Sequence, residues 1–388
     1  MAALAVSQET QLNWLALHLT PGLGARNALR LVQIFGHPEG VFHASLVDLK
    51  TAMPRLRGVV IEAIHSGLSF EDAADEFRKA GAQGVAIIPY QDPRYPQLLK
   101  QIHDPPILLY ARGNTELLHR PAIAVVGTRR PTPYGRAVAE KLVKDLVQAG
   151  LAHVSGMARG IDAAAHRGAL AGGGASVAVL GTGVDVPYPR ENRKLYDELV
   201  ERGLVLSEFP LGSTPFPQNF PIRNRIISGM SLAVVVVEGA QYSGSLITAR
   251  LAMEQDREVM AVPGPIVSQQ SWGPNLLIKD GAKLIQEALD VIEELPQTVR
   301  QELVYRERSG QQQGAAPAQT SLFGEQASPT GKKILSLLRI DEALHIDEII
   351  RTVRGESSAD VLAALSELEL FGAVKQLPGK SFVLAWRD

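Results

Sequence analysis

The strongest constraint on the fold is an alternation between residues 85 and 262. Short runs rich in valine and isoleucine recur there, at 85–89, 107–110, 123–126, 152–155, 176–180, 204–207, 232–237 and 258–262. Each is followed by an amphipathic stretch of helix length. Strands alternating with helices predict a parallel sheet, because a parallel neighbour can be reached only through a crossover connection. Several runs are apolar without a break, such as the four valines at 234–237, so those strands are expected to be covered on both faces. The expected core is therefore an α/β domain with a mostly parallel, doubly wound sheet, spanning 81–307.

The flanks read differently. Residues 11–77 carry apolar positions at helical spacing in LNWLALHL, ARNALRLVQIF and GVVIEAI, which predicts a small all-α domain over 1–80. The turn Pro21-Gly22-Leu23-Gly24 allows two readings: a helix-hairpin-helix turn whose backbone N–H groups meet a phosphate, or a glycine-rich turn in an ordinary bundle. Residues 308–329 are rich in Gln, Gly, Ala, Ser and Pro and read as a flexible linker. Beyond it, three helical stretches (332–338, 345–352, 358–370) and two short strands around Pro378-Gly379 outline a winged-helix domain over 330–388.

A length of 388 residues exceeds what one hydrophobic core usually organises, in keeping with several domains. The chain has no cysteine, which removes disulfides, thiolate nucleophiles and Cys-type zinc sites together. Its first residues lack a basic region followed by a long apolar one, so a cytoplasmic protein without a membrane segment is expected. The formal net charge of −2 excludes a protein coated with positive charge, since nonspecific nucleic-acid affinity scales with the phosphates neutralised. Any such site must be local.

In an open α/β sheet, ligands sit outside the carboxyl ends of the strands. The loops that follow the runs are Gly127-Thr128-Arg129-Arg130, 155–160 with Ser155, Gly156, Arg159 and Gly160, 181–183, 208–210, 238–240 and 263–264. Several join glycine to Ser, Thr or Arg. Glycine lets backbone N–H groups approach an anion, a following helix N-terminus favours negative charge, and arginine offers a bidentate fork. Any one such loop is also an ordinary tight connection; their convergence on one sheet edge points to phosphate.

Two nucleotide patterns are missing. Gly127 is followed by TRRPTPYG instead of the dinucleotide fingerprint G-x-G-x-x-G, and no G-x-x-x-x-G-K-[ST] string occurs. A long polyanion lying across the loops fits better. The segment FPIRNRIISG supplies Phe220, Arg223, Asn224 and Arg225, a mixture suited to a groove where bases stack and phosphates pair. Those arginines could equally pair with Glu208 or Glu238. YPRENRKLY places Arg193, Lys194 and Tyr196 at a helix start, alternatively a plain solvated first turn. Asp162 and His166 stand four apart on a predicted helix, but with no third ligand in view they read as structural and no metal is expected. Glu208 and Glu238 could form a carboxylate pair for hydrolysis, which keeps a nucleotide-hydrolysing enzyme as the alternative function.

The run AIAVVGTRRPTPYG, then VSGMARGIDAAAHRGAL, AVLGTGVDVPYPRENRKLY, LVLSEFPLG, FPIRNRIISGMS, VVVVEGAQYSGSLITARLA and AVPGPI with GPNLLIKDGA resembles the bacterial DNA-processing protein A (DprA/Smf) family, in unbroken order over about 95–295. The resemblance implies an extended Rossmann-like domain that binds single-stranded DNA without a cofactor or catalysis. It implies a homodimer formed through that domain, and a role in natural transformation and recombination: protecting incoming DNA and loading the RecA recombinase. The family's phosphate-binding loop carries onto Gly127, Thr128 and Arg129, with Arg130 beside them, and its Ser-Gly loop onto Ser155, Gly156 and Gly160. Its later basic and aromatic positions carry onto Arg193 and Tyr196, Arg223 and Arg225, and the YSGS segment onto Ser243 and Gly244.

The resemblance extends to the flanks, as a sterile-alpha-motif-like or helix-hairpin-helix N-domain and a winged-helix C-domain. Yet the helix that would enter a major groove, ESSADVLAALSELELFG, has no Lys or Arg and four acids; it would repel phosphates. The wing module is therefore expected to bind protein or pack on itself. Deleting the residues after Pro329 should leave affinity for a labelled single-stranded oligonucleotide intact in a titration; a collapse of affinity would place DNA on the wing.

Overall fold

The computed structural model describes residues 6–303, 328–338, 343–353, 356–370 and 373–384. All but the last two residues of the segment read as a linker, 308–329, lie outside them. Six helices come first: α1 (Gln8–Leu19), α2 (Ala25–Phe35), α3 (Pro38–His43), α4 (Leu46–Ala52), α5 (Gly58–His65) and α6 (Phe70–Ala82). Ser7 and Ser45 cap α1 and α4, accepting from the N–H groups of Thr10 and Asp48.

The valine-rich runs form β1 (Ala86–Pro89), β2 (Leu108–Gly113), β3 (Ala122–Val126), β4 (Ala152–Ser155), β5 (Ser176–Val179), β6 (Leu204–Ser207), β7 (Ala233–Val236) and β8 (Glu258–Ala261). A two-residue edge strand, β9 (Lys283–Leu284), completes a sheet of order β1-β2-β6-β5-β4-β3-β7-β8-β9. Only β2 runs against the rest: it is antiparallel to β1 and to β6, and every other pairing in the sheet is parallel. The β1–β2 connection, residues 90–107, contains a single short helix, α7 (Gln97–Lys100).

Helices then alternate with strands: α8 (Pro133–Gln148), α9 (Ile161–Gly172), α10 (Arg193–Arg202), α11 (Asn219–Gly229), α12 (Gly244–Glu254) and α13 (Trp272–Lys279), followed by α14 (Ala288–Glu293) and α15 (Gln297–Glu302). Every residue of β3, β4, β5, β6 and β7 is buried, as unbroken apolar runs require. One apolar cluster packs α8, α9 and α12 on the sheet; another joins Trp14, Leu31 and Ile64 of the N-terminal helices to Leu108, Tyr110 and Val205. A polar tie reinforces the second, with the Glu76 carboxylate accepting from Leu211 N–H at 2.6 Å.

The C-terminal module holds α16 (Pro329–Leu337), β10 (Leu344–His345), α17 (Ile346–Thr352), α18 (Ser358–Leu370), β11 (Val374–Leu377) and β12 (Ser381–Leu384). Its three strands, in the order β10-β12-β11, and three helices close on a core that includes Ile334, Ile349, Leu368 and Phe382. This is the winged-helix arrangement. Among the described residues no helix is long and apolar enough to cross a membrane.

Beneath the sheet, Ser176 Oγ lies 3.0 Å from His153 Nδ1 and 2.8 Å from His166 Nδ1. Both rings are buried, and the Nε2 atom of each is without a hydrogen-bond partner. Burial holds His153 down to about 3 and His166 well below its ordinary 6.5. The unfolded chain therefore binds protons that the folded chain refuses. The stability this pair contributes is present above about pH 6.5 and is lost as pH falls toward 3, at about 1.4 kcal/mol per unit for each proton withheld. Denaturant unfolding at pH 7, 6 and 5 should show that decline; a flat profile would contradict neutral burial.

Candidate nucleic-acid interface

From β3 the chain crosses to β4 on one side, while β7 occupies the other side of β3. That reversal of strand order opens a crevice at the carboxyl ends of β3 and β7. Thr128 N–H donates to the Glu238 carbonyl at 2.7 Å, and the Thr128 carbonyl accepts from Ile161 N–H at 3.1 Å. The loops after β3 and β7 and the start of α9 are thus drawn onto one residue. Gly160 makes the closeness possible: its φ is +81°, and a Cβ there would collide with the Thr128 carbonyl.

The crevice widens into a cleft of about 970 Å³ lined by Gly127, Thr128, Arg129, Arg130, Phe220, Arg223, Asn224, Ser243 and Gly244 among others. A smaller recess beside it is lined by Arg129, Gly156, Arg159, Phe220 and Arg223. Arg129 and Arg130 are exposed, and among the described residues neither has an ion-pair partner. The Arg129 guanidinium lies 5.9 Å from the centre of the Phe220 ring and that of Arg223 6.0 Å from it. Tyr188 packs on Phe220 at 5.4 Å and 34°. Trp272 and Tyr242 complete an aromatic rim.

Arg223 is buried and works inward. Its Nη1 donates to the Gly156 carbonyl at 2.8 Å and to that of Val179, and its Nε to the Asn224 side chain at 3.2 Å. Burial pulls it down to about 10, against the attraction of Asp162. A Cβ on Gly156 would come within 2.5 Å of its guanidinium, so a larger residue there would displace Arg223. Asp162 accepts from Gly156 N–H at 3.2 Å and Ala158 N–H at 3.3 Å; burial raises its pKa, while Arg223 and these N–H groups oppose the rise. Hydrogen bonds to Asp162 and from Arg223 therefore shape the 156–160 loop, while Arg129 and Arg130 stay exposed at the cleft.

The remaining candidates lie elsewhere. Arg225 is buried and committed to Glu208 at 2.5 Å and to Asp104 at 3.2 Å. Tyr196 is 2% exposed, its hydroxyl donating to the Val184 carbonyl and accepting from Arg112, so its ring cannot stack a base. The apolar stripe Leu195, Tyr196 and Leu199 carries that information in the sequence. Arg193 pairs with Asp197 on the exposed face of α10, where Lys194 also lies, and Arg159 with Glu191. Ser155 is buried and donates to the Val125 carbonyl, tying β4 to β3. Glu208 and Glu238 do not converge as an acid–base pair: one is held by Arg225, the other by Thr132. Among the described residues no group of three or more His, Asp or Glu could hold a metal ion. The aromatic rim at Tyr188, Tyr242 and Trp272 was not read from the sequence. Tyr188 has a sequence signal, since it opens the segment YPRENRKLY in the loop after β5.

The model of DNA recombination-mediator protein A matches residues 86–296, and that of the DprA winged helix domain matches 314–380. The chain belongs to the DNA recombination-mediator protein A family. Protein Smf of Synechocystis sp. is 35% identical over 97% of this chain and 99% of its own length. The X-ray structure of DNA processing protein A from Streptococcus pneumoniae superposes with a TM-score of 0.67 at 36% identity, covering 73% of this chain and 98% of that one. DNA processing protein A from Helicobacter pylori, whose structure describes a single-stranded DNA binding mode, gives a TM-score of 0.51 at 30% identity over 56% of this chain and 97% of that one. The family's sheet is the extended Rossmann-like one described above.

The Arg225–Glu208 pair is internal, with both side chains 10% exposed. Removing one partner leaves a buried charge uncompensated. Glu208→Ala should therefore cost about 3 kcal/mol of unfolding free energy in a denaturant titration; a loss near zero would mean that Asp104 alone satisfies Arg225.

Proposed function

We propose that this protein binds single-stranded DNA in the cleft at the β3–β7 switch point. The observation that carries the reading is the pair of exposed arginines, Arg129 and Arg130, unpaired among the described residues and set beside an aromatic rim. Guanidinium forks suit phosphodiester oxygens, and Phe220, Tyr188, Tyr242 and Trp272 offer faces on which bases stack with little sequence preference. The cleft is open, as a continuous strand requires, and a chain of net charge −2 must concentrate its affinity there. The binding mode described for the Helicobacter pylori relative points the same way.

Within this reading the protein serves natural transformation and recombination in the cytoplasm: it shields incoming single strands, hands them to a recombinase of the RecA type, and acts as a homodimer through the Rossmann-like domain. On this reading it acts without catalysis, and Glu208 and Glu238 are each engaged by a donor of the fold. In the same reading the winged-helix domain, 330–388, binds protein or packs on itself and does not hold the DNA.

Affinity for a labelled oligonucleotide should fall linearly on logarithmic axes with salt, by about 0.7 per phosphate contacted. Arg129→Ala should weaken binding at least about tenfold, the scale of one charge-assisted contact, with a shallower salt slope. Unchanged affinity and slope would move the site off this cleft.

A further inference from the structure

The arginines that face the cleft stand on a loop whose two ends are fastened by a single residue. Glu238 follows β7 and is buried. At one end of the loop its backbone carbonyl accepts from Thr128 N–H at 2.7 Å. At the other, its carboxylate accepts from Thr132 N–H at 2.9 Å through Oε2 and from Thr132 Oγ1 at 2.6 Å through Oε1. Arg129, Arg130 and Pro131 form the arch between these anchors.

Thr132 is also the N-cap of α8, with Oγ1 accepting from Gly135 N–H at 3.1 Å. In a capping box, a Glu or Gln three residues into the helix reaches back to the N-cap N–H. Here that position is Gly135, which has no side chain, and a Cβ there would collide with the Glu238 carboxylate. The missing half of the box is supplied from across the sheet. One consequence concerns anions. The N-terminus of the helix after the central strand is where a Rossmann-type sheet ordinarily receives a phosphate. In this chain an internal carboxylate already satisfies the N-cap N–H, so an incoming phosphate must turn to the arginines.

We infer that Glu238 is a positioning residue for strand binding: it caps α8 in place of a residue at Gly135 and thereby holds Arg129 and Arg130 over the cleft. The inference rests on the proposed DNA-binding cleft and names the group that organises it. Glu238 is buried and is not among the residues that line the cleft.

The test uses the full chain with Glu238→Ala, Glu238→Gln and Gly135→Ala, titrated with a labelled single-stranded oligonucleotide over several salt concentrations, with thermal melts alongside. Glu238→Ala should lose about tenfold in affinity, and its salt slope should shrink by about 1.4, two phosphate contacts at ~0.7 each. Glu238→Gln keeps an acceptor for the Thr132 N–H and a donor for its hydroxyl, and should recover most of both. Gly135→Ala displaces the carboxylate without deleting it and should repeat the Glu238→Ala result, which keeps the test decisive if that variant folds poorly. Destabilisation alone would reduce the active fraction without changing the slope. A folded Glu238→Ala or Gly135→Ala protein with the parent's slope would overturn the inference. Arg129→Ala separates the two claims: if it loses affinity and the Glu238 variants do not, the cleft stands and only the positioning role falls.

Discussion

The geometry of the cleft depends on the backbone of Thr128. One of its groups donates to the carbonyl of Glu238 after β7, and the other accepts from Ile161 at the head of α9. Three elements that meet at the switch point are thereby joined through one peptide unit on each side. Buried backbone groups are costly to leave unpaired, so the loop after β3 cannot drift from either neighbour without losing a bond. The demand for glycine follows. Gly160 must leave the Thr128 carbonyl unobstructed, and Gly156 must leave room for the Arg223 guanidinium.

The arginines divide by what already neutralises them. Arg223 and Arg225 are buried, and each is matched inside the fold, one by carbonyls and the nearby Asp162, the other by Glu208 and Asp104. A buried guanidinium with such partners is structural, because withdrawing it for a ligand would leave the partners unpaired. Arg159 and Arg193 are exposed but share their charge with Glu191 and Asp197; such surface pairs are weak and yield readily. Arg129 and Arg130 carry no such commitment among the described residues. In a chain with nearly balanced charge, position in the fold decides which cations an anion can reach.

Much of this was legible in the sequence for a physical reason. Eight strands were legible as short valine- and isoleucine-rich runs, several of them apolar without a break as a strand covered on both faces must be, and the loops after them pointed to one edge of the sheet. What escaped was what the local pattern does not encode. The edge strand β9 has two residues, both exposed, so it bears no burial signature. The reversal of β2 shows only in its antiparallel pairing with β1 and β6. The fate of Arg225 depended on Glu208, seventeen residues away and on another element, and a sequence reading could only leave that pairing open beside the alternative of a ligand. Trp272 reaches the cleft from beyond β8, and nothing near it in the chain marks it as part of that lining.

A surface that holds a flexible polyanion without reading its sequence faces two opposed demands. Its cations must remain available, and they must also be fixed, because ordering long arginine side chains at the moment of binding costs affinity. Packing the guanidinium ions would fix them but would bury them beside acids and so use up their charge, as happened to Arg223 and Arg225. The solution here places the restraint in the backbone. The loop is fastened at Thr128 and Thr132, Phe220 lies between Arg223 and Arg129 as a common platform, and the buried Arg223 keeps that platform from shifting. On the proposed reading, the side chains that face the cleft then stay solvated until a phosphate replaces the water.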